Sequence, residues 1–317
     1  MDFKLLGRAA AHGWPAEDCR CASCNRLRTI GYREEPLAAL VDGRPLDKCE
    51  SRPVPGGRVV IGRRGTRVLV AEGPGARPEP EPGVVYDVVL LDLIAAPDQV
   101  GALRRAGAVR TGSEVAPVHV DHRVPSGKEL NRRMPFWVEL PKGPRPHRTL
   151  LLGGSRSGKS AEAELRLTGE PEVTYVATGR DRPGDAEWAA RIDAHRRRRP
   201  AWWRTAETTD LPPLLASETG ALLIDGLGTW LAAAMDETGA WDDPAAVEPR
   251  LAELVAAWRD TRARVVAVSD EVGMSLVPTT RSGRAFGDAL GRLNQWLAAE
   301  SEDAALVVAG RVTELPC

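Results

Sequence analysis

The sequence predicts an α/β protein in two parts: a mostly parallel sheet with flanking helices in the C-terminal half, preceded by a smaller mixed α/β region. Three observations carry this expectation. After residue 148, short continuous apolar runs alternate with helical patterns, as strands covered on both faces require. One of those runs enters Gly153-x-x-x-x-Gly158-Lys159-Ser160, a phosphate-binding loop pattern that needs a strand before it and a helix after it. Two Pro/Gly-rich stretches, residues 73–83 and 141–147, punctuate the chain, and the second sets a boundary that gives regions 1–145 and 146–317.

In the C-terminal region, strands are expected over Thr149–Leu152, Val173–Thr178, Ala221–Asp225, Val265–Ser269 and Ala304–Ala309. Helices are expected over Lys159–Leu167, Asp185–Arg197, Leu227–Met235, Val247–Arg262 and Arg281–Ser301. The loop between the first strand and first helix, Gly153, Gly154, Ser155, Arg156, Ser157, Gly158, Lys159 and Ser160, has the residue types that phosphate binding demands. Glycine lets the backbone wrap so that successive N–H groups face phosphate oxygens. Lys159 supplies a mobile cation for the β- and γ-phosphates, and the Ser160 hydroxyl suits Mg²⁺. The helix beginning at Lys159 aims its positive end at the same anion. Asp225 closes the strand Ala-Leu-Leu-Ile-Asp, where a carboxylate beside such a loop serves the same Mg²⁺. The chain is therefore expected to bind a nucleoside triphosphate.

Composition narrows the classes. Hydrophobic residues make up 43% and charged residues 27% of the 317 residues, an ordinary soluble balance. The net charge of −1 gives no electrostatic case for a dedicated nucleic-acid or membrane-surface protein. Lacking a long apolar run and a signal-peptide core, the sequence carries a cytoplasmic expectation. Before the boundary, Val59–Ile61, Arg67–Val70 and Val84–Leu91 look like strands and Pro97–Arg105 like a helix.

Two further clusters carry chemistry. His195 lies in a helical pattern flanked by Arg191 and the run Arg196, Arg197, Arg198 and Arg199. Neighbouring cations keep its imidazole at or below the ordinary ~6.5, and so a neutral nucleophile at pH 7. The arginines suit phosphates, but they equally suit a solvated helix end, and sequence leaves both readings open. Cys19, Cys21 and Cys24 place three thiols within six residues, a spacing suited to tetrahedral zinc, with His119 or His122 as the fourth ligand.

Residues 148–312 resemble the bifunctional adenosylcobinamide kinase / adenosylcobinamide-phosphate guanylyltransferase family, whose domain is a P-loop, RecA-like fold. The resemblance rests on the loop, then Tyr175-Val-Ala-Thr-Gly179, Asp185-x-Glu187-Trp-x-x-Arg191-Ile-x-x-His195, Thr205-Ala-Glu207, Leu223-Ile-Asp225, Glu271-Val-Gly-Met274 and Gly291-Arg-Leu-Asn-Gln-Trp-Leu297 in order. It implies two reactions. ATP or GTP phosphorylates the aminopropanol hydroxyl of adenosylcobinamide, and His195 then attacks the α-phosphorus of GTP, forming a guanylyl-histidine that passes GMP to the new phosphate. It places Ala177, Thr178, Gly179, Arg196–Arg199, Glu207 and Asp225 at nucleotide positions, with Lys159 and His195 as catalytic residues. It also implies a homo-oligomer, a trimer. The chain departs from the family at Asp270, where Asn is usual, at Ala194, where some members have a second histidine, and at Asp225, where Glu is usual.

The N-terminal region resembles the start and end of a metallo-β-lactamase-fold phosphodiesterase through Leu5-Leu-Gly7, the cysteine cluster, Val89-Leu-Leu-Asp92 and His119-Val-Asp-His122. That resemblance makes Cys19, Cys21, Cys24 and His122 structural zinc ligands and His119 a catalytic-metal ligand. The fold's His-x-His-x-Asp-His motif is absent, and residues 43–91 contain no histidine, so a hydrolytically dead remnant is expected. Two competing readings of the whole chain are a RecA-like ATPase acting on nucleic acid, which would show steep salt dependence, and a non-catalytic nucleotide sensor. Near-neutral charge disfavours the first; intact Lys159, Ser160, Asp225 and His195 disfavour the second.

Overall fold

Residues 2–138, 146–179, 193, 196–274 and 278–316 are described by the computed structural model of the protein. The chain divides into two units, Met1–Leu140 with Thr168–Pro171, and Pro141–Leu167 with Glu172–Cys317.

In the first unit, β1 (Phe3–Gly7), β2 (Ala38–Val41) and β3 (Arg44–Pro45) form a small antiparallel sheet. A second sheet runs in the order β4 (Glu50–Val54), β5 (Gly57–Ile61), β6 (Arg67–Ala71), β7 (Val88–Leu91) and β8 (Glu114–Pro117). Its β4–β5 and β5–β6 pairs are antiparallel, while β6, β7 and β8 run parallel. Alternate residues Val68 and Val70, Val88 and Leu90 turn to one face and meet Ala39 and Val41 in a shared apolar cluster, the two-residue period of a pleated strand put to use. Helices α1 (Ala22–Thr29), α2 (Gln99–Arg105) and α3 (Gly127–Val138) complete this mixed α/β unit.

The expected strand from Val84 begins only at Val88. Its first residues are spent on a turn: the Val84 N–H donates to the Glu81 carbonyl, and the fully buried Tyr86 hydroxyl accepts from the Glu81 N–H at 3.0 Å. The helix expected from Pro97 likewise starts at Gln99.

The second unit is a seven-stranded sheet in the order β11 (Arg204–Glu207), β10 (Val173–Ala177), β12 (Ala221–Asp225), β13 (Arg264–Asp270), β9 (His147–Gly153), β14 (Asp303–Val308) and β15 (Arg311–Leu315). All neighbours are parallel except the closing β14–β15 pair. Each of the five expected strands is present within a residue or two of its expected ends. Their continuous apolar sequences follow from burial on both sides: Leu150, Leu222 and Ile224 enter one apolar cluster, and Leu151, Leu223 and Val266 enter the other.

Four helices expected in this unit, α4 (Lys159–Leu167), α6 (Leu227–Thr238), α7 (Glu248–Asp260) and α8 (Arg281–Ala299), are formed. An unexpected α5 (Leu211–Ser217) opens on Pro212 and Pro213, residues tolerated in a first turn whose N–H groups have no helical partner. The expected helix Asp185–Arg197 lies largely outside the described residues; Asp193 and Arg196–Arg198 within reach of it are helical. His147, read from sequence as linker, opens β9, and its Nε2 lies 2.7 Å from Asp303 Oδ2. Among the described residues, no helix is long and apolar enough to cross a membrane.

Candidate functional site

The parallel sheet brings the carboxyl ends of β9, β10, β12 and β13 to one edge, the place where open α/β sheets bind ligands. Register fixes which residues arrive together. Ala177 is opposite both Glu207 and Asp225, and Asp270 is opposite Gly153.

Between β9 and α4 the phosphate loop is tightly wound. A Cβ on Gly153 would stand 2.5 Å from the Val307 carbonyl oxygen and 2.6 Å from Ser157 Oγ, so only glycine fits. Gly158 takes φ +99°, and Arg156 holds a left-handed φ of 57°. Gly154, by contrast, faces open space. The loop is braced from outside by the Gly310 N–H, which donates to the Ser157 carbonyl at 2.8 Å.

Lys159 is 9% exposed and folds its ammonium back over the loop, donating to the Gly154 carbonyl at 3.0 Å and meeting Asp270 Oδ1 at 2.9 Å. The next residue, Ser160, donates to Asp225 Oδ1 at 3.1 Å. The structure thus joins the two residues assigned to Mg²⁺ from sequence. A hydroxyl and a carboxylate so placed offer hard oxygen donors, the set magnesium prefers.

The other Asp225 oxygen accepts from the Tyr175 hydroxyl at 2.6 Å. Burial, then the adjoining Asp225 charge, pushes the Tyr175 phenol far above its ordinary value, so it stays a donor. Arg199 stacks its guanidinium 3.5 Å from the centroid of the same ring, and Arg198 pairs with Glu164 at 3.0 Å. Tyr175 therefore links Arg199 of the arginine run to the Asp225 carboxylate. In the sequence Tyr175 stands only within a motif; its signal is an aromatic hydroxyl in the mostly apolar interior strand β10. Arg196 and Arg197 remain exposed.

Thr178 is buried, and its hydroxyl engages the Gly226 carbonyl and Thr229 Oγ1, each at 2.6 Å. It supports the turn after Asp225, where Gly226 adopts φ +115°. Gly179 follows Thr178, and Glu207 ends the outer strand β11, exposed. His195 lies outside the described residues.

In the first unit the sequence-assigned thiols and His122 converge. Ligand atoms of Cys19, Cys21, Cys24 and His122 all lie within 4.8 Å of one another, with Cys19 Sγ 3.7 Å from His122 Nδ1. A tetrahedral zinc with ~2.3 Å Zn–S bonds needs ligand separations of about 3.7 Å, so the donor set fits in chemistry and size. Local structure sets it up: Cys21 caps α1 and accepts the Cys24 N–H at 3.4 Å, while Ser23 and Arg26 of that helix donate to the carbonyls of Val124 and Pro125. Burial pushes the Cys24 thiol up to about 11, so a metal there would take the place of a proton.

His119 does not join this cluster. Its Nε2 is 3.1 Å from the Ala71 carbonyl, and the residue is buried with φ 55°. Asp92 is fully buried and accepts from the N–H groups of Gly75, Ile94 and Ala95 and from Arg123 at 2.9 Å. An arginine thus supplies the counter-charge to Asp92.

Comparison with known proteins places this geometry. Residues 149–315 match the model of a family described as cobinamide kinase / cobinamide phosphate guanyltransferase. The bifunctional adenosylcobalamin biosynthesis protein CobU of Salmonella typhimurium is 38% identical over 179 residues, covering 51% of this chain and 95% of that protein. CobU of Escherichia coli is 37% identical over 174 residues, again 51% and 95%. CobP of Pseudomonas aeruginosa is 39% identical over 169 residues, covering 51% and 94%. Nearly the whole of each relative is matched within the half of this chain that bears the phosphate loop, and the chain belongs to the cobinamide kinase / cobinamide phosphate guanyltransferase family.

Proposed function

We infer that the chain works in cobalamin biosynthesis as a bifunctional enzyme, a cobinamide kinase and a cobinamide phosphate guanylyltransferase. The observation that carries this is the joining of Lys159, Ser160 and Asp225 at the sheet edge within the family-matched residues. The nucleic-acid ATPase reading is not favoured by any of these relatives.

In the first step, the aminopropanol hydroxyl of adenosylcobinamide attacks the γ-phosphorus of ATP or GTP. The bond to the β–γ bridging oxygen breaks, the nucleoside diphosphate leaves with the electron pair, and the hydroxyl proton passes to solvent. The loop N–H groups and Lys159 hold the terminal phosphates; Ser160 and Asp225 would hold Mg²⁺, which when bound would supply charge neutralisation at the phosphoryl oxygens. In the second step, an imidazole nitrogen of His195 attacks the α-phosphorus of GTP and pyrophosphate departs. The phosphate of the first product then displaces the histidine and gives adenosylcobinamide-GDP. A covalent intermediate splits one hard displacement into two easier ones. Arg196–Arg199, Ala177, Thr178, Gly179 and Glu207 are proposed to line the nucleotide position, Thr178 through the turn it supports.

Incubating the purified chain with adenosylcobinamide and ATP or GTP, and identifying the products by mass, tests the reading. Adenosylcobinamide phosphate and then adenosylcobinamide-GDP are expected. His195→Ala should still form the phosphate yet take no acid-labile label from α-labelled GTP; equal labelling would remove His195 as nucleophile. For residues 1–145 we propose a non-hydrolytic metallo-β-lactamase-like remnant holding a structural zinc, and for residues 146–317 the catalytic unit, assembled as a homo-oligomer.

A further inference from the structure

The phosphate-loop lysine does not wait free for its ligand. Its ammonium is already held by Asp270 Oδ1 at 2.9 Å, and the carboxylate is half exposed at the end of β13, directly opposite Gly153. The backbone that bears this carboxylate is set in place by an internal network. Asn294, buried in α8, donates its Nδ2 to the Asp270 carbonyl at 3.1 Å and accepts from Ser269 Oγ at 2.6 Å. The Glu271 N–H donates to the Gly153 carbonyl at 3.1 Å, fastening the same strand end to the start of the loop. The second carboxylate oxygen faces Gly228 in the first turn of α6, where an added Cβ would come within 2.9 Å of it. Asp270 is thus fixed beside the loop from three elements.

The consequence is electrostatic. Asp270 holds the Lys159 ammonium and Asp225 holds the hydroxyl of the adjoining Ser160, so the lysine and these two carboxylates together carry a net negative charge. Arg198 is engaged by Glu164, and Arg199 lies over the Tyr175 ring. A triphosphate arriving without a divalent cation must share Lys159 with Asp270 and bring its own charge to within a few ångströms of that carboxylate. One arriving with the cation carries compensating charge.

We propose that Asp270 is a specificity-determining residue that makes the loop select the metal complex of a nucleoside triphosphate over the free nucleotide. It acts by holding Lys159 and by repelling uncompensated phosphate. The inference rests on the proposed use of Lys159 and the loop for nucleotide, and extends it to the form of nucleotide accepted.

The test is isothermal titration of the full chain with ATP and with GTP, without cobinamide, in magnesium-free and magnesium-saturated buffer. Chelator is left out so that the thiol cluster is not disturbed. Asp270→Asn keeps the shape and an oxygen for Lys159 while removing the charge. In magnesium-free buffer it should tighten binding about tenfold, and in saturating magnesium by less than about threefold, a half-exposed charge being partly screened. Asp270→Ser, which removes the lysine contact as well, should shift in the same direction; thermal melting checks that both variants fold. Equal change in both buffers, or weaker binding without magnesium, would overturn the proposal. Weaker binding confined to magnesium would also overturn it, by making Asp270 a metal ligand. A wild-type chain that binds neither triphosphate in magnesium would overturn the nucleotide site itself, and this inference with it.

Discussion

Replacing Tyr175 by Phe removes one oxygen from the middle of the candidate site and leaves the ring beneath Arg199. The lost bond is a 2.6 Å donation from a residue 6% exposed to a carboxylate oxygen of Asp225. A hydrogen bond to a charged group contributes about 1.5–3 kcal/mol, and the Ser160 contact to the other oxygen remains, so a loss near 2 kcal/mol is expected. The two units need not unfold together, so the assay is urea unfolding of the full chain, following the transition whose midpoint nucleotide raises. At pH 8 that midpoint should fall. The alkaline arm supplies a second check with a definite sign. The folded phenol is raised above its unfolded value near ~10, chiefly by burial, so the neutral form is favoured on folding. Its contribution is complete below ~10 and is lost as pH rises beyond it, when only the unfolded chain releases the proton. The variant has no such proton, so the gap between wild type and variant should narrow above pH 10, by up to about 1.4 kcal/mol per pH unit. An unchanged midpoint at pH 8, or a gap that stays constant to pH 11, would refute the assigned bond. The magnesium concentration for half-maximal kinase rate should also rise, because Asp225 loses the donor that orients it.

Gly226→Ala should cost about 1–3 kcal/mol and depress the kinase rate, because alanine must adopt φ +115° with its methyl 2.5 Å from Thr229 Oγ1; unchanged unfolding and kinetics would contradict this turn geometry. Freshly purified chain should contain one zinc per molecule, and Cys24→Ser should lose it and lower the first unit's unfolding midpoint; metal-free wild-type protein would remove the zinc assignment.

How much of this was legible in the sequence depended on how local the cause was. The five interior strands of the second unit announce themselves because burial on both faces gives each a short continuous apolar run. Edge strand β11 has Arg204, Thr205 and Glu207 exposed, so its sequence carries no such run. β15 is likewise mostly exposed and is strand only because β14 lies beside it. Helix α5 was hidden by Pro212 and Pro213, which read as a break where they form a first turn. The phosphate loop and the thiols of Cys19, Cys21 and Cys24 are encoded by spacing alone and were visible at once. His119 and His122 were equal candidates by spacing; the resemblance chose His122, and the fold brings His122 to the thiols and His119 to the Ala71 carbonyl. The links from Tyr175 to Asp225 and from Lys159 to Asp270 join different strands or a helix to a strand, so they exist only once sheet order and register are set.

The position of β9 has a consequence for how the enzyme is made. Its partners are β13 and β14, both much later in the chain; the Arg148 N–H, for instance, bonds Glu302 across a separation of 154 residues. The loop that follows β9 leaves the ribosome well before the strand end bearing Asp270 and the turn at Gly310 that brace it. Such non-local pairing slows folding and keeps an apolar strand waiting during synthesis. Nucleotide affinity should therefore emerge only after residues through Gly310 have been made, so that ATP or GTP stabilises molecules whose loop is braced and leaves earlier ones to chaperones.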